Sequence, residues 1–136
     1  MSLPPVLLDT DTLSALLRNK PVVLTRARAY LAVHRQFTLS LITRYEILRG
    51  LKTTNATKQA QIFEQFCARN ILLPLTDAVI LQAAEIYADL HKRGALIGDA
   101  DILIAASALV NGLGVATNNE RHFQRINSLH VENWLK

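Results

Sequence analysis

The sequence predicts an α/β domain with a short, mainly parallel central sheet of four to five strands flanked by helices. Two observations carry this. Short apolar runs recur along the chain, at Val6–Leu8, Phe37–Leu39, Ile71–Leu73 and Gly114–Thr117. Between them lie longer segments whose apolar residues follow helical spacing. Strands that alternate with helices pair in parallel and are covered on both faces. At 136 residues the chain has room for one domain, spanning 1–136, but not for two.

The elements follow in order. Val6-Leu7-Leu8 reads as a buried strand that opens at Asp9-Thr10-Asp11-Thr12 into a helix carrying Leu13, Leu16 and Leu17. Thr10 or Asp11 is its expected cap. A second helix starts at Pro21, a favoured first position, and runs to about Val33. Phe37–Leu39 is the second strand, and Ser40 caps a helix over Leu41–Leu51. The polar stretch Thr53–Thr57 is a loop before a helix over Ala56–Arg69, and Ile71–Leu73 is the third strand. Thr76-Asp77 caps a helix with Ile80, Ala84, Tyr87 and Leu90 at helical spacing, and Gly94 ends it. Gly98-Asp99-Ala100-Asp101 opens a helix, Ile102–Val110, that is apolar on nearly every side and therefore central. Gly114–Thr117 is the fourth strand, a turn or helix spans Asn119–Gln124, and Leu129–Val131 is an expected edge strand.

Composition narrows the function classes. Half the residues are hydrophobic and 19% are charged, which excludes a disordered chain. A single cysteine, Cys67, rules out an internal disulfide and reads as a reduced core thiol. No basic region followed by an apolar run opens the chain. The longest apolar stretch, Ile102–Val110, is about half of what a membrane span needs. A cytoplasmic protein with no membrane association is expected. The net charge of +4 is compatible with a polyanion partner, although the basic residues are scattered rather than run together.

The acids are more informative. In parallel α/β folds, sites gather at the C-terminal ends of strands and at the starts of the following helices. That rule places Asp9 and Thr117-Asn118-Asn119 in the crevice, with Asp99 and Asp101 at a helix start. Taken singly, Asp9 and Asp99 also read as helix caps, and Asp101 as a first-turn acid favoured by the helix dipole. Glu46 is different, because Ile42 lies one turn before it and Leu41, Tyr45 and Leu48 form the adjacent stripe. A pair with Arg49 at i+3 offsets only ~0.2–0.5 kcal/mol at a surface. A glutamate beside an apolar face needs a stronger partner. Converging carboxylates repel unless a cation neutralises them, and hard oxygen ligands favour Mg²⁺ or Mn²⁺ over zinc. The four histidines, His34, His91, His122 and His130, show no ligand spacing and read as ordinary polar residues.

Four segments in this order resemble the PIN-domain toxins of VapBC toxin–antitoxin systems. They are Leu7-Leu8-Asp9-Thr10, Ser40 through Gly50, Ile97 through Ala106, and Thr117-Asn118-Asn119 through Phe123 with Glu132-Asn133-Trp134. The resemblance covers essentially the whole chain. It implies a PIN-like fold and a Mg²⁺- or Mn²⁺-dependent endoribonuclease, held inactive by a cognate VapB-like antitoxin and commonly a homodimer. By the matching motifs, Asp9 and Asp101 are metal ligands and Glu46 reaches the metal through water. Asp99 sits where family members vary between acid and other polar residues. The family's fourth polar position often holds Asp but is Asn119 here, flanked by Thr117 and Asn118, which lowers the charge and favours one metal over two. Thr10 and Ser40 are hydrogen-bonding supports that serve equally well as helix caps.

Two other readings compete. Asp9-Thr10-Asp11-Thr12 after a strand also matches the opening of haloacid-dehalogenase-type phosphatases, in which the first Asp is phosphorylated. In that fold the late acids follow a strand, whereas the residues before Gly98 are polar and helix-ending. The chain is also short for it. The other reading is a PIN-like protein used only for binding; the intact acids Asp9, Glu46 and Asp101 argue for activity instead.

Overall fold

A computed structural model describes residues 3–136. The elements are β1 (Val6–Leu8), α1 (Thr10–Leu17), α2 (Pro21–His34), β2 (Thr38–Ser40), α3 (Leu41–Thr53) and α4 (Thr57–Ala68). They continue with β3 (Ile71–Leu73), α5 (Asp77–Lys92), α6 (Asp99–Val110), β4 (Gly114–Ala116), α7 (Glu120–Phe123) and β5 (Val131–Glu132). The five strands form one sheet in the order β3-β2-β1-β4-β5, and every neighbouring pair is parallel. The expected α/β class is thus observed, with a sheet parallel throughout.

Burial explains the arrangement. In β1, Val6 and Leu8 face one core and Leu7 faces the other. The first core gathers Leu13 and Leu16 of α1, Val23, Ala27 and Tyr30 of α2, Phe63 of α4, and Trp134. The second gathers Val79, Ala83, Ile86 and Leu90 of α5 with Ile102, Ile104, Ala105 and Ala108 of α6. Each fully buried aliphatic side chain contributes ~1.5–3 kcal/mol, so neither face of the sheet is left to water.

Four local expectations shift. β2 is Thr38–Ser40 rather than Phe37–Leu39, because the Phe37 N–H is taken by Asn70 Oδ1 at 2.9 Å and the ladder to β3 starts at Thr38. β5 is Val131–Glu132, opposite Val115 and Ala116. On α5 the buried stripe is Val79, Ala83, Ile86 and Leu90, while Ile80 and Tyr87 are 48% and 45% exposed. Two apolar stripes run side by side on that helix, so spacing alone did not say which one faces inward. Gly98 rather than Asp99 is the N-cap of α6, whereas the reading of Asp9 as a cap of α1 is borne out, its side chain accepting from the Thr10 N–H.

The topology sets the crevice. From central β1 the chain moves to β2 on one side and later to β4 on the other. The loops leaving β1 and β4 therefore diverge at the C-terminal edge of the sheet, where such folds place their ligands.

Candidate active site

Asp9 is the hub. It follows β1 directly, its backbone N–H donates to Ala116 O at 2.9 Å, and it is 6% exposed. Its Oδ1 accepts from the Thr10 N–H at 2.8 Å, and its Oδ2 accepts from the Thr117 hydroxyl at 2.8 Å. Burial pushes its pKa up to about 7, and the Asp11 carboxylate adds to the rise. The bonds from Thr117 and Thr10 pull the other way, and Asp101 raises it further. Thr117 is fully buried, and its oxygen also accepts from the Asn119 N–H at 2.9 Å. One hydroxyl thus joins the two loops at the crevice.

Glu46 arrives from α3. Its Oε1 accepts from the Thr10 hydroxyl at 2.6 Å, and Thr43 Oγ1 lies 3.2 Å from that hydroxyl. The side chain is 22% exposed, with Arg49 at a loose 3.9 Å. Ser40 is fully buried and caps α3, its Oγ accepting from the Thr43 N–H at 3.2 Å. It therefore supports the helix that carries Glu46 and does not itself join the acids.

Asp101 occupies the first turn of α6 and is partly buried. Its Oδ2 lies 3.1 Å from His122 Nδ1 and 3.4 Å from the side-chain amide of Asn119. Asp99, at the first position of α6, is exposed and lies outside this network.

The structure brings two residues read as bystanders in the sequence into this network. Asp11 turns its Oδ2 to the Asn118 N–H at 3.0 Å, tying α1 to the loop after β4. Burial raises its pKa, bonds from Asn118 and Thr12 oppose that, and Asp101 adds to the rise. Its place two residues after Asp9 was the available signal. His122, read as an ordinary polar residue, contacts both Asp101 and Asn119. It sits three residues beyond Asn119, one helical turn, and that spacing was the signal.

The donor set fits a hard divalent cation. Asp11 and Asp101 raise the charge cost of Asp9, Asp101 raises that of Asp11, and among the described residues no lysine or arginine pairs with any of the three. The same residues include no group of three or more acid, histidine or cysteine side chains poised to enclose an ion alone. Carboxylate oxygens are the donors that a hard divalent cation takes.

Known proteins place the chain in a family. The model of the PIN domain matches residues 6–129. This chain is a PIN domain of the VapC family. It is 33% identical to the tRNA(fMet)-specific endonuclease VapC of Salmonella typhimurium, over 94% of this chain and 96% of that one. It is 31% identical to ribonuclease VapC2 of Haemophilus influenzae, over 95% and 97%. Among solved structures, DNA-bound VapBC from Salmonella typhimurium superposes with a TM-score of 0.85 at 29% identity, covering 97% of this chain and 99% of that one. VapBC-1 from nontypeable Haemophilus influenzae gives 0.84 at 27%, covering 96% and 98%. In this PIN domain the late acids open a helix rather than follow a strand, contrary to the arrangement of the phosphatase reading. No described helix is long and apolar enough to cross a membrane.

Proposed function

We propose that this protein is the toxin of a type II toxin–antitoxin pair, an endoribonuclease that hydrolyses RNA phosphodiester bonds with Mg²⁺ or Mn²⁺. The observation that carries it is the burial of Asp9 between Thr10 and Thr117, with Asp11 and Asp101 nearby and, among the described residues, no lysine or arginine paired with them. The relatives named as ribonucleases, similar along almost the whole chain, support the substrate class.

Asp9 and Asp101 are the residues that would hold the cation. When bound, the cation supplies an acidified water and neutralises charge building on the phosphate. Thr117 and Thr10 keep the Asp9 carboxylate in one orientation. Glu46, tethered by Thr10, orients water by hydrogen bonding. Hydrolysis adds water across a P–O bond, its oxygen going to phosphorus and a proton to the leaving ribose oxygen. Asp99 stands at the rim in an auxiliary role.

The solved VapBC neighbours support an antitoxin partner. A hollow of about 410 Å³, lined by Leu17, Ile47, Leu51, Ile62 and Phe63, would take an apolar antitoxin segment. A basic antitoxin side chain set among the acids would exclude metal and substrate together. The active assembly is a homodimer in a cytoplasmic setting.

The test is cleavage-site mapping on total RNA with Mg²⁺, against an EDTA control and Asp101→Asn. Discrete cuts should appear with wild type and metal only. Asp101→Asn should lose more than ~100-fold, the upper end of what losing a supporting residue costs. Equal cutting by wild type and Asp101→Asn would sink the proposal.

A further inference from the structure

We infer that His122 is a positioning residue for Asp101, its Nδ1–H holding one carboxylate oxygen so that the other stays free for a divalent cation. The inference rests on the metal reading above.

An aspartate in the first turn of a helix has a competing use. Its carboxylate is drawn to the free N–H groups of its own helix. Asp101 makes no such bond among the described residues. Its Oδ2 instead turns toward α7, where His122 Nδ1 stands at 3.1 Å. No hydrogen bond among the described residues occupies its Oδ1.

The chemistry decides which way the ring is protonated. An ionised carboxylate offers only lone pairs, and so does an imidazole nitrogen without a proton. At 3.1 Å two such atoms repel, so the contact is attractive only when Nδ1 carries the proton. Nδ1 also lies 2.7 Å from the side-chain amide of Asn119. With the ring nitrogen donating, that amide presents its oxygen, which a half-turn exchanges for its nitrogen. Asp101 Oδ2 and the Asn119 amide oxygen then both accept from that one N–H, and α7 is tied through it to the start of α6.

Ligand-orienting partners of this kind typically carry a 10–100-fold effect on metal affinity. The side chain of His122 is 40% exposed, so its loss leaves the core intact. Asn at this position keeps a side-chain N–H close to where Nδ1 stands.

The experiment is Mn²⁺ binding, read from the electron paramagnetic resonance of the free ion, for wild type, His122→Ala and His122→Asn. Circular dichroism first establishes that all three are folded. His122→Ala should bind ~10–100-fold more weakly, and His122→Asn should recover most of the loss. Long-range ¹H–¹⁵N correlation spectra of the metal-free wild type should show His122 protonated at Nδ1. Wild-type affinity in His122→Ala, no recovery in His122→Asn, or a bare Nδ1 would each overturn the inference while leaving the metal reading in place. A wild type that takes up no Mn²⁺ would overturn the metal reading and this inference with it.

Discussion

The Thr10 hydroxyl donates to Glu46 Oε1 at 2.6 Å, and the same residue's backbone N–H donates to Asp9 Oδ1 at 2.8 Å. A single residue therefore ties two acids from different elements, one at the end of β1 and one on α3. Its hydroxyl also doubles as the link to Thr43.

Thr10→Val tests this tie. Valine keeps the shape and deletes the hydroxyl, so the Asp9 bond from the backbone survives while Glu46 loses its tether. We expect RNA cleavage to fall by ~10–100-fold, the range for supporting partners of a metal site, with little change in melting temperature. Cleavage rates measured beside a thermal melt separate the two effects. A wild-type rate would show that Glu46 needs no such tether.

Asp9 makes metal-free stability depend on pH. Its folded pKa of about 7 lies above the usual carboxylate value of 3.8. Between those values the folded state holds a proton that the unfolded state has released. Stability is therefore fully present below about pH 4 and lost as pH rises toward 7, by up to about 4 kcal/mol from this group. Asp9→Asn should remove that slope and melt higher than wild type at pH 8 in EDTA. Mg²⁺ should raise the wild-type melting temperature at pH 8 and leave that of Asp9→Asn unchanged. Parallel melting curves for the two proteins from pH 4 to pH 8 would contradict this account.

Asp99 and Asp101 lie two residues apart on one helix but differ in surroundings. Asp101 is partly buried against His122 and Asn119, whereas Asp99 is exposed. Asp99→Asn should lower cleavage by less than ~10-fold, below the effect of losing a supporting partner. A loss equal to that of Asp101→Asn would place Asp99 among the metal ligands.

Gly114 tests the sheet edge. A Cβ there would stand 2.7 Å from both His130 O and the His130 ring. The backbone oxygen cannot yield, because it accepts from the Val115 N–H at 2.9 Å. Gly114→Ala should cost ~1–3 kcal/mol, the usual cost of overpacking, read as a shifted midpoint in urea. An unchanged midpoint would mean that β5 detaches from β4 without loss.

Much of this was legible in the residues. Strands such as Val6–Leu8 announce themselves because a strand buried on both faces must be apolar throughout. Asp9 and Thr117 are legible as candidate site residues because each directly follows such a strand. Glu46 is legible because an acid beside an apolar helix face needs a partner. The inward stripe of α5 was not, since Val79 and Ile80 begin equally apolar stripes and only packing against α6 chooses between them. Strand registers were not legible either: Phe37 is as apolar as Leu39, and the hydrogen bond that the Phe37 N–H donates to Asn70 decides where β2 begins.

By itself, the sequence determined the alternation of short buried strands and helices, hence a parallel α/β sheet, and which acids stand at strand ends and helix starts. Those properties are local, set by burial and chain direction. Only the tertiary structure decided that Asp11 and His122 join Asp9, Glu46 and Asp101 while Asp99 stays outside. Which side chains meet across the crevice depends on how α1, α3, α6 and α7 sit around β1 and β4. Contacts between residues as far apart in sequence as Asp9 and Thr117 follow from that packing, not from spacing along the chain.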